Sequence, residues 1–191
     1  MKNLLIILIL TLIYVSCKTE RKTQLPKSDF SLKKDYVELT NKLTELDTIK
    51  VWMNLSQCTY QGIEKLTITR KKDSIKIQPE FAESMIVGTE FIKEKEIIIS
   101  VNDTIWKFNE FLKRNENRSQ SDSLKYGRLQ ITLNSEKLNF FTHGLGDSGK
   151  FLFDYCRTMK NIMPESDNHI FGVEIIEIED GEMEETELES E

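Results

Sequence analysis

Hydrophobic positions recur along this chain in three ways. The first is an unbroken apolar run, Leu4 to Val15, behind the short start Met1-Lys2-Asn3. The second has helical spacing. Leu32, Tyr36, Leu39, Leu43 and Leu46 alternate steps of four and three, which puts them on one stripe and predicts a helix over 31–46. Asn102 or Asp103 is placed to cap a second helix whose apolar side is Ile105, Trp106, Phe108, Phe111 and Leu112. A third helix is predicted from about Ser148 to Ile162, ended by Pro164. The third pattern alternates with the period of a strand. It covers Ile49 to Leu55, then Leu66/Ile68 and Ile75/Ile77 as a hairpin with the basic tip Arg70-Lys71-Lys72-Asp73, stopped by Pro79. Leu129/Ile131/Leu133 and Leu138/Phe140 make a second hairpin around Asn134-Ser135-Glu136, and Phe171, Val173 and Ile175 a last strand. Ile97-Ile98-Ile99 with Val101 predicts a buried central strand, Met85 to Phe91 another strand, and Asn115 to Ser123 a polar loop. Hairpins dominate this order. The expected fold is α+β: a mainly antiparallel sheet covered by about three helices, within one domain over 31–180.

The apolar run is shorter than the roughly 17–25 residues that span a bilayer as a helix, and fits the core of a secretion signal. It ends in Tyr14-Val15-Ser16-Cys17, which resembles the lipobox of bacterial lipoproteins, with Tyr14 where Leu is usual. The resemblance covers about twenty residues. It implies that residues 1–16 are removed by signal peptidase II, that Cys17 carries a diacylglyceryl group on its thiol, and that a further acyl chain such as palmitate joins the new amine. The alternatives are an ordinary secretory signal with a chance cysteine, or a short membrane helix. Each buried methylene contributes about 0.8 kcal/mol, so two or three chains anchor stably where one does not. Residues 17–30 are polar and basic, and read as a tether. Residue 18 is Lys rather than Asp, so the signal that resembles inner-membrane retention is missing. The expectation is a cell-envelope protein, lipid-anchored at the outer membrane of a Gram-negative bacterium on its periplasmic face.

Export changes the reading of charge and cysteine. The formal charge is −6, but residues 177–191 alone carry nine acidic side chains and no basic one, so the remainder is close to neutral. Residues 181–191 read as a disordered acidic tail, either solubilising or docking a basic partner. With Cys17 lipidated, Cys58 and Cys156 remain, an even pair in an oxidising compartment. A disulfide between them and a buried free thiol at Cys156 are both open.

One segment, His143 to Phe151, carries four motif resemblances. Gly144 to Lys150 is similar to the phosphate-cradling P-loop, with Phe151 where that motif holds Ser or Thr for magnesium. Gly144, Gly146 and Gly149 have the spacing of a dinucleotide fingerprint, without room for the repeated βαβ frame. Gly146-Asp147-Ser148-Gly149 resembles the nucleophile segment of chymotrypsin-like proteases, although no His precedes His143. His143-Gly144-Leu145-Gly146-Asp147 resembles the oxyanion-hole loop of acyl-protein thioesterases, which implies a later nucleophile elbow that the chain lacks. A single plainer reading covers all four: a strand turns sharply into a helix, glycines supply the backbone angles, and Asp147 or Ser148 caps the helix. What survives is a loop at a helix N-terminus suited to an anion, formed by Gly146, Ser148, Gly149 and Lys150.

Fewer signals lie elsewhere. His143 and His169, with Asp147 and Asp167, have no tight metal-ligand spacing. Trp52, Tyr60 and Trp106 read as core or rim before they read as a sugar-stacking platform. Asp47-Thr48-Ile49, Asp73-Ser74-Ile75, Asp103-Thr104-Ile105 and Asp122-Ser123-Leu124 resemble the acceptor triplet of a bacterial O-glycosylation system; helix and strand starts use the same residues. Two functions are carried forward. The first is a non-catalytic binding or interaction module (an inhibitor, an immunity-type protein or a complex subunit) with the membrane and a protein as partners, no cofactor, and no nucleic acid or nucleotide. The second is an envelope hydrolase using Ser148 and His143.

Overall fold

The computed structural model describes residues 28–57, 61–83, 89–121 and 125–169. Cys17, Cys58, Tyr60, the expected strand at 171–175 and the acidic tail lie outside the described residues. Eight strands form one sheet: Thr48–Asn54 (β1), Ile63–Lys71 (β2), Ser74–Ala82 (β3), Ile92–Lys93 (β4), Ile97–Ser100 (β5), Ser119–Ser121 (β6), Leu129–Leu133 (β7) and Glu136–Phe140 (β8). Their order is β4-β3-β2-β1-β7-β8-β6, with β5 also on β3, and every pairing is antiparallel. The helical elements are Leu32–Asp35 (α1), Leu39–Lys42 (α2), Phe108–Arg114 (α3) and Gly144–Lys160 (α4), with 3-10 turns at Tyr36–Glu38, Glu116–Arg118 and Asp167–His169. The fold is α+β, as the pattern predicts. Among the described residues, no helix is long and apolar enough to cross a membrane.

Alternation decides which face of the sheet is covered. Ile49, Val51 and Met53 of β1, Leu66 and Ile68 of β2, Ile75 and Ile77 of β3, and Leu129, Ile131 and Leu133 of β7 all point one way and are buried. They pack with Leu32, Leu39, Phe108, Phe111, Phe151, Tyr155 and Met159 from the helices in one continuous core. Trp106 also lies in it, stacked on Phe108 at 4.6 Å.

Several elements depart from their expected form. The first helix is broken into α1, a 3-10 turn and α2, and stops at Leu43. The buried Asp47 carboxylate causes the stop. It accepts from the Thr44 amide at 2.8 Å, the Thr44 hydroxyl at 2.7 Å and the Ser28 hydroxyl at 2.7 Å, closing a turn that leaves Leu46 in solvent. Pro79 does not stop β3 but sits inside it, opposite Leu66. Its carbonyl accepts from the Glu94 amide, so the missing N–H faces the outer side, where the chain passes from β4 to β5. The isoleucine run is an edge strand rather than a central one: β5 pairs only with β3, and Ile98 is exposed. The second helix begins at Phe108, later than its apolar pattern. Asp103 caps a turn through the Ile105 and Trp106 amides, and Lys107 then takes a left-handed φ of 57°. Ser119–Ser121, within the expected loop, pairs with β8 as β6.

Candidate functional site

Among the described residues, the helices leave the other face of the sheet open. The registers set its outward side chains in rows across the strands. One row runs Lys93, Glu80, Lys65, Trp52, Gln130, Asn139, and the next runs Gln78, Thr67, Lys50, Thr132, Lys137. A groove of about 700 Å³ crosses these rows, with Trp52, Tyr126, Lys50, Lys65, Glu80 and Gln130 among its walls. The Trp52 and Tyr126 rings stand 6.4 Å apart and are inclined at 55°. Tyr126 is 74% exposed, and Trp52 is half-buried. Trp52 is therefore on the rim of a groove, whereas Trp106 is core.

Most lysines on this face already have partners. Lys65 places its Nζ 3.2 Å from the centre of the Phe91 ring, Lys76 binds Glu96 at 2.8 Å, and Lys93 lies 3.9 Å from Glu80. Lys50 and Lys137 form no ion pair among the described residues.

A second cluster is buried on the helix side. Glu64 lies in phase with Leu66 and Ile68 and so points into the core, where Tyr155 Oη donates to its Oε2 at 2.6 Å. His169 Nε2 lies 3.0 and 3.1 Å from the two carboxylate oxygens, and its Nδ1 has no partner among the described residues. Burial first, and the Glu64 charge second, hold the Tyr155 phenol well above its ordinary range. Cys156, next to this cluster in sequence, is buried and has no disulfide partner among the described residues. Burial, and then Glu64, push its thiol up to about 12. The Glu64, Tyr155 and His169 side chains are sealed from solvent and tie β2, α4 and the last 3-10 turn together. Sequence reading missed Glu64, although its position in the alternation of β2 is a usable signal.

The glycine-rich segment is not a loop. Helix α4 starts at Gly144, four residues before the expected start, with His143 as its N-cap. Only Gly144 has a positive φ, 74°; Gly146 and Gly149 are helical. Neither Asp147 nor Ser148 is the cap residue. Asp147 instead reaches back to the His143 amide at 2.7 Å and also binds Arg118. Arg118 first, and the His143 amide second, hold its carboxyl down at about 2. The early start also alters the anion loop. Ser148, Gly149 and Lys150 lie beyond the first four amides of the helix, so of that set only Gly146 keeps a backbone N–H outside the helical ladder. Ser148 and Gly149 do line a cleft of about 410 Å³ with Arg128, Leu145 and Leu152. The Arg128 guanidinium donates there to the Ser56 carbonyl. No hydrogen bond joins His143 to Ser148 among the described residues.

The two histidines stand in different surroundings. His143 is exposed at the start of α4, and His169 is held by Glu64. Among the described residues, no group of three or more His, Cys, Asp and Glu side chains is placed to hold a metal ion. Of the Asp-hydroxyl triplets, that at 122–124 lies outside the described residues. Asp47 and Asp103 serve as turn caps, and Ser74 opens β3. No protein family, curated protein or solved structure matches this chain.

Proposed function

We propose that this chain is a lipid-anchored cell-envelope protein that acts by binding rather than catalysis, and that the open face of its sheet is the binding surface. One observation carries the second half: an uncovered face with a groove of about 700 Å³, into which Trp52 and the exposed Tyr126 both project. An antiparallel sheet commonly leaves one face to solvent, but that face is then polar; two aromatic rings at a groove require a reason. The first half rests on the apolar run ending at Cys17. The polar residues behind it give a tether long enough to let the domain face a partner in the envelope.

Two measurements test this reading. A Cys17→Ser change should move the protein out of the membrane fraction and abolish its labelling by a lipid precursor; a membrane-bound, normally sized product would overturn the anchor. A photo-reactive amino acid at position 52 or 130 should give a discrete cross-linked species in intact cells, and one at Lys113 on α3 should not. Equal cross-linking from both faces would remove the open face from the argument.

A further inference from the structure

We infer that the groove on the open sheet face takes an acidic glycan, with sugar rings against Trp52 and Tyr126 and a sugar carboxylate on Lys50. This rests on the reading of the open face as the binding surface, and adds the chemistry of what is bound.

Three observations select that chemistry. The first is ring geometry. Trp52 and Tyr126 are 6.4 Å apart and inclined at 55°, which makes a bent platform. Successive pyranose rings in a chain turn relative to one another and can each meet one wall of it. The second is the polar inventory beside the rings. Gln130 and Thr132 on one side, with Thr67 and Glu80 on the other, present amide, hydroxyl and carboxylate groups that donate to and accept from sugar hydroxyls. The third is charge. Lys50 and Lys65 both line the groove and neither forms an ion pair among the described residues; Lys65 is held against the Phe91 ring, so Lys50 is the ammonium placed to meet a ligand. With Glu80 also in its wall, the groove carries two ammonium groups against one carboxylate, a small positive balance that matches a polymer with sparse carboxylates better than a phosphate on every nucleotide.

The chain's two tryptophans provide the readout, since Trp106 is buried and only Trp52 borders the groove. The mature lipoprotein in detergent micelles is titrated with soluble peptidoglycan strands, hyaluronan (one carboxylate per disaccharide), dextran and a single-stranded DNA oligonucleotide while tryptophan emission is followed. At least one acidic glycan should shift the emission saturably. Trp52→Ala (read by affinity electrophoresis) and Tyr126→Ala should each weaken it about ten-fold. Lys50→Gln should weaken it about three-fold and flatten its salt dependence, as expected for one exposed ion pair. Lys113→Gln on α3 should change nothing, and the Trp106 signal in Trp52→Ala reports that the fold is intact. Failure of both acidic glycans to shift the emission would overturn the inference, as would dextran or DNA binding equally well. If position 52 still cross-links in cells when no glycan binds, the binding face stands and the glycan falls; if both fail, both fall.

Discussion

Replacing Tyr155 by Phe removes one oxygen and tests the buried cluster directly. The ring is fully buried, packed edge-on to Phe111 at 5.6 Å, and Phe keeps that packing. What is lost is the 2.6 Å hydrogen bond to Glu64, a carboxylate with almost no access to water, which keeps only its His169 contact. Hydrogen bonds to charged groups contribute about 1.5–3 kcal/mol, and a buried acceptor that loses one of its two partners cannot recover that bond from solvent. The expected cost is therefore about 1.5–3 kcal/mol, or about 3–12 °C in Tm for a domain of this size. Urea unfolding followed by near-ultraviolet dichroism measures it. The reasoning also demands coupling. Glu64→Gln should cost less in the Tyr155→Phe background than in the wild type, with an interaction energy of about 1 kcal/mol or more. A Tyr155→Phe loss below about 0.5 kcal/mol, or additive single changes, would refute the claim that the carboxylate depends on the phenol.

Two further outcomes follow from the geometry. Gly127→Ala places a Cβ 2.5 Å from the Phe140 carbonyl oxygen and 2.8 Å from its amide, both backbone atoms of β8 that cannot yield, so stability should fall by about 1–3 kcal/mol; an unchanged urea midpoint would contradict the tight approach. Asp147 has its pKa depressed from 3.8 to about 2 by Arg118, so it adds stability that is complete above pH 3.8 and lost as pH falls through about 2. The stability gap between wild type and Asp147→Asn should thus be constant at neutral pH, shrink between about pH 4 and 2, and vanish below; a gap that persists at pH 1.5 would show that the ion pair is not its source.

Much of the sheet can be read from the pattern. Leu129 to Phe140 alternates strictly, and Asn134 occupies the left-handed position that its two-residue turn requires. The elements that pattern misplaces are those where tertiary contacts override it. The isoleucines of β5 look central because they are apolar, yet their place at the edge depends on a pairing with β3 some twenty residues away. The glycines of α4 oppose helix formation locally, but Phe151, Leu152, Tyr155 and Met159 bury one side of the helix and Asp147 ties its start to Arg118. The candidate site is legible only in part. Trp52 alternates with Val51 and Met53, so its outward position is implied. That Tyr126 comes to stand beside it depends on β7 pairing with β1, which no local signal encodes.

The two margins of the sheet bear on how copies of this protein behave when crowded. One ends in β4 and β5, of two and four residues, and the other in β6, of three. A long free strand would offer neighbours a ladder of unpaired amides and carbonyls. Among the described residues that ladder is cut into stubs, interrupted at Glu94–Glu96 on one side, where β4 ends in Lys93. If the proposed lipid anchor confines these molecules to a plane, lateral encounters are frequent and share one orientation. Short margins deny those encounters a template for growth, so such a layer stays a collection of separate domains at high surface density, each with its open face available.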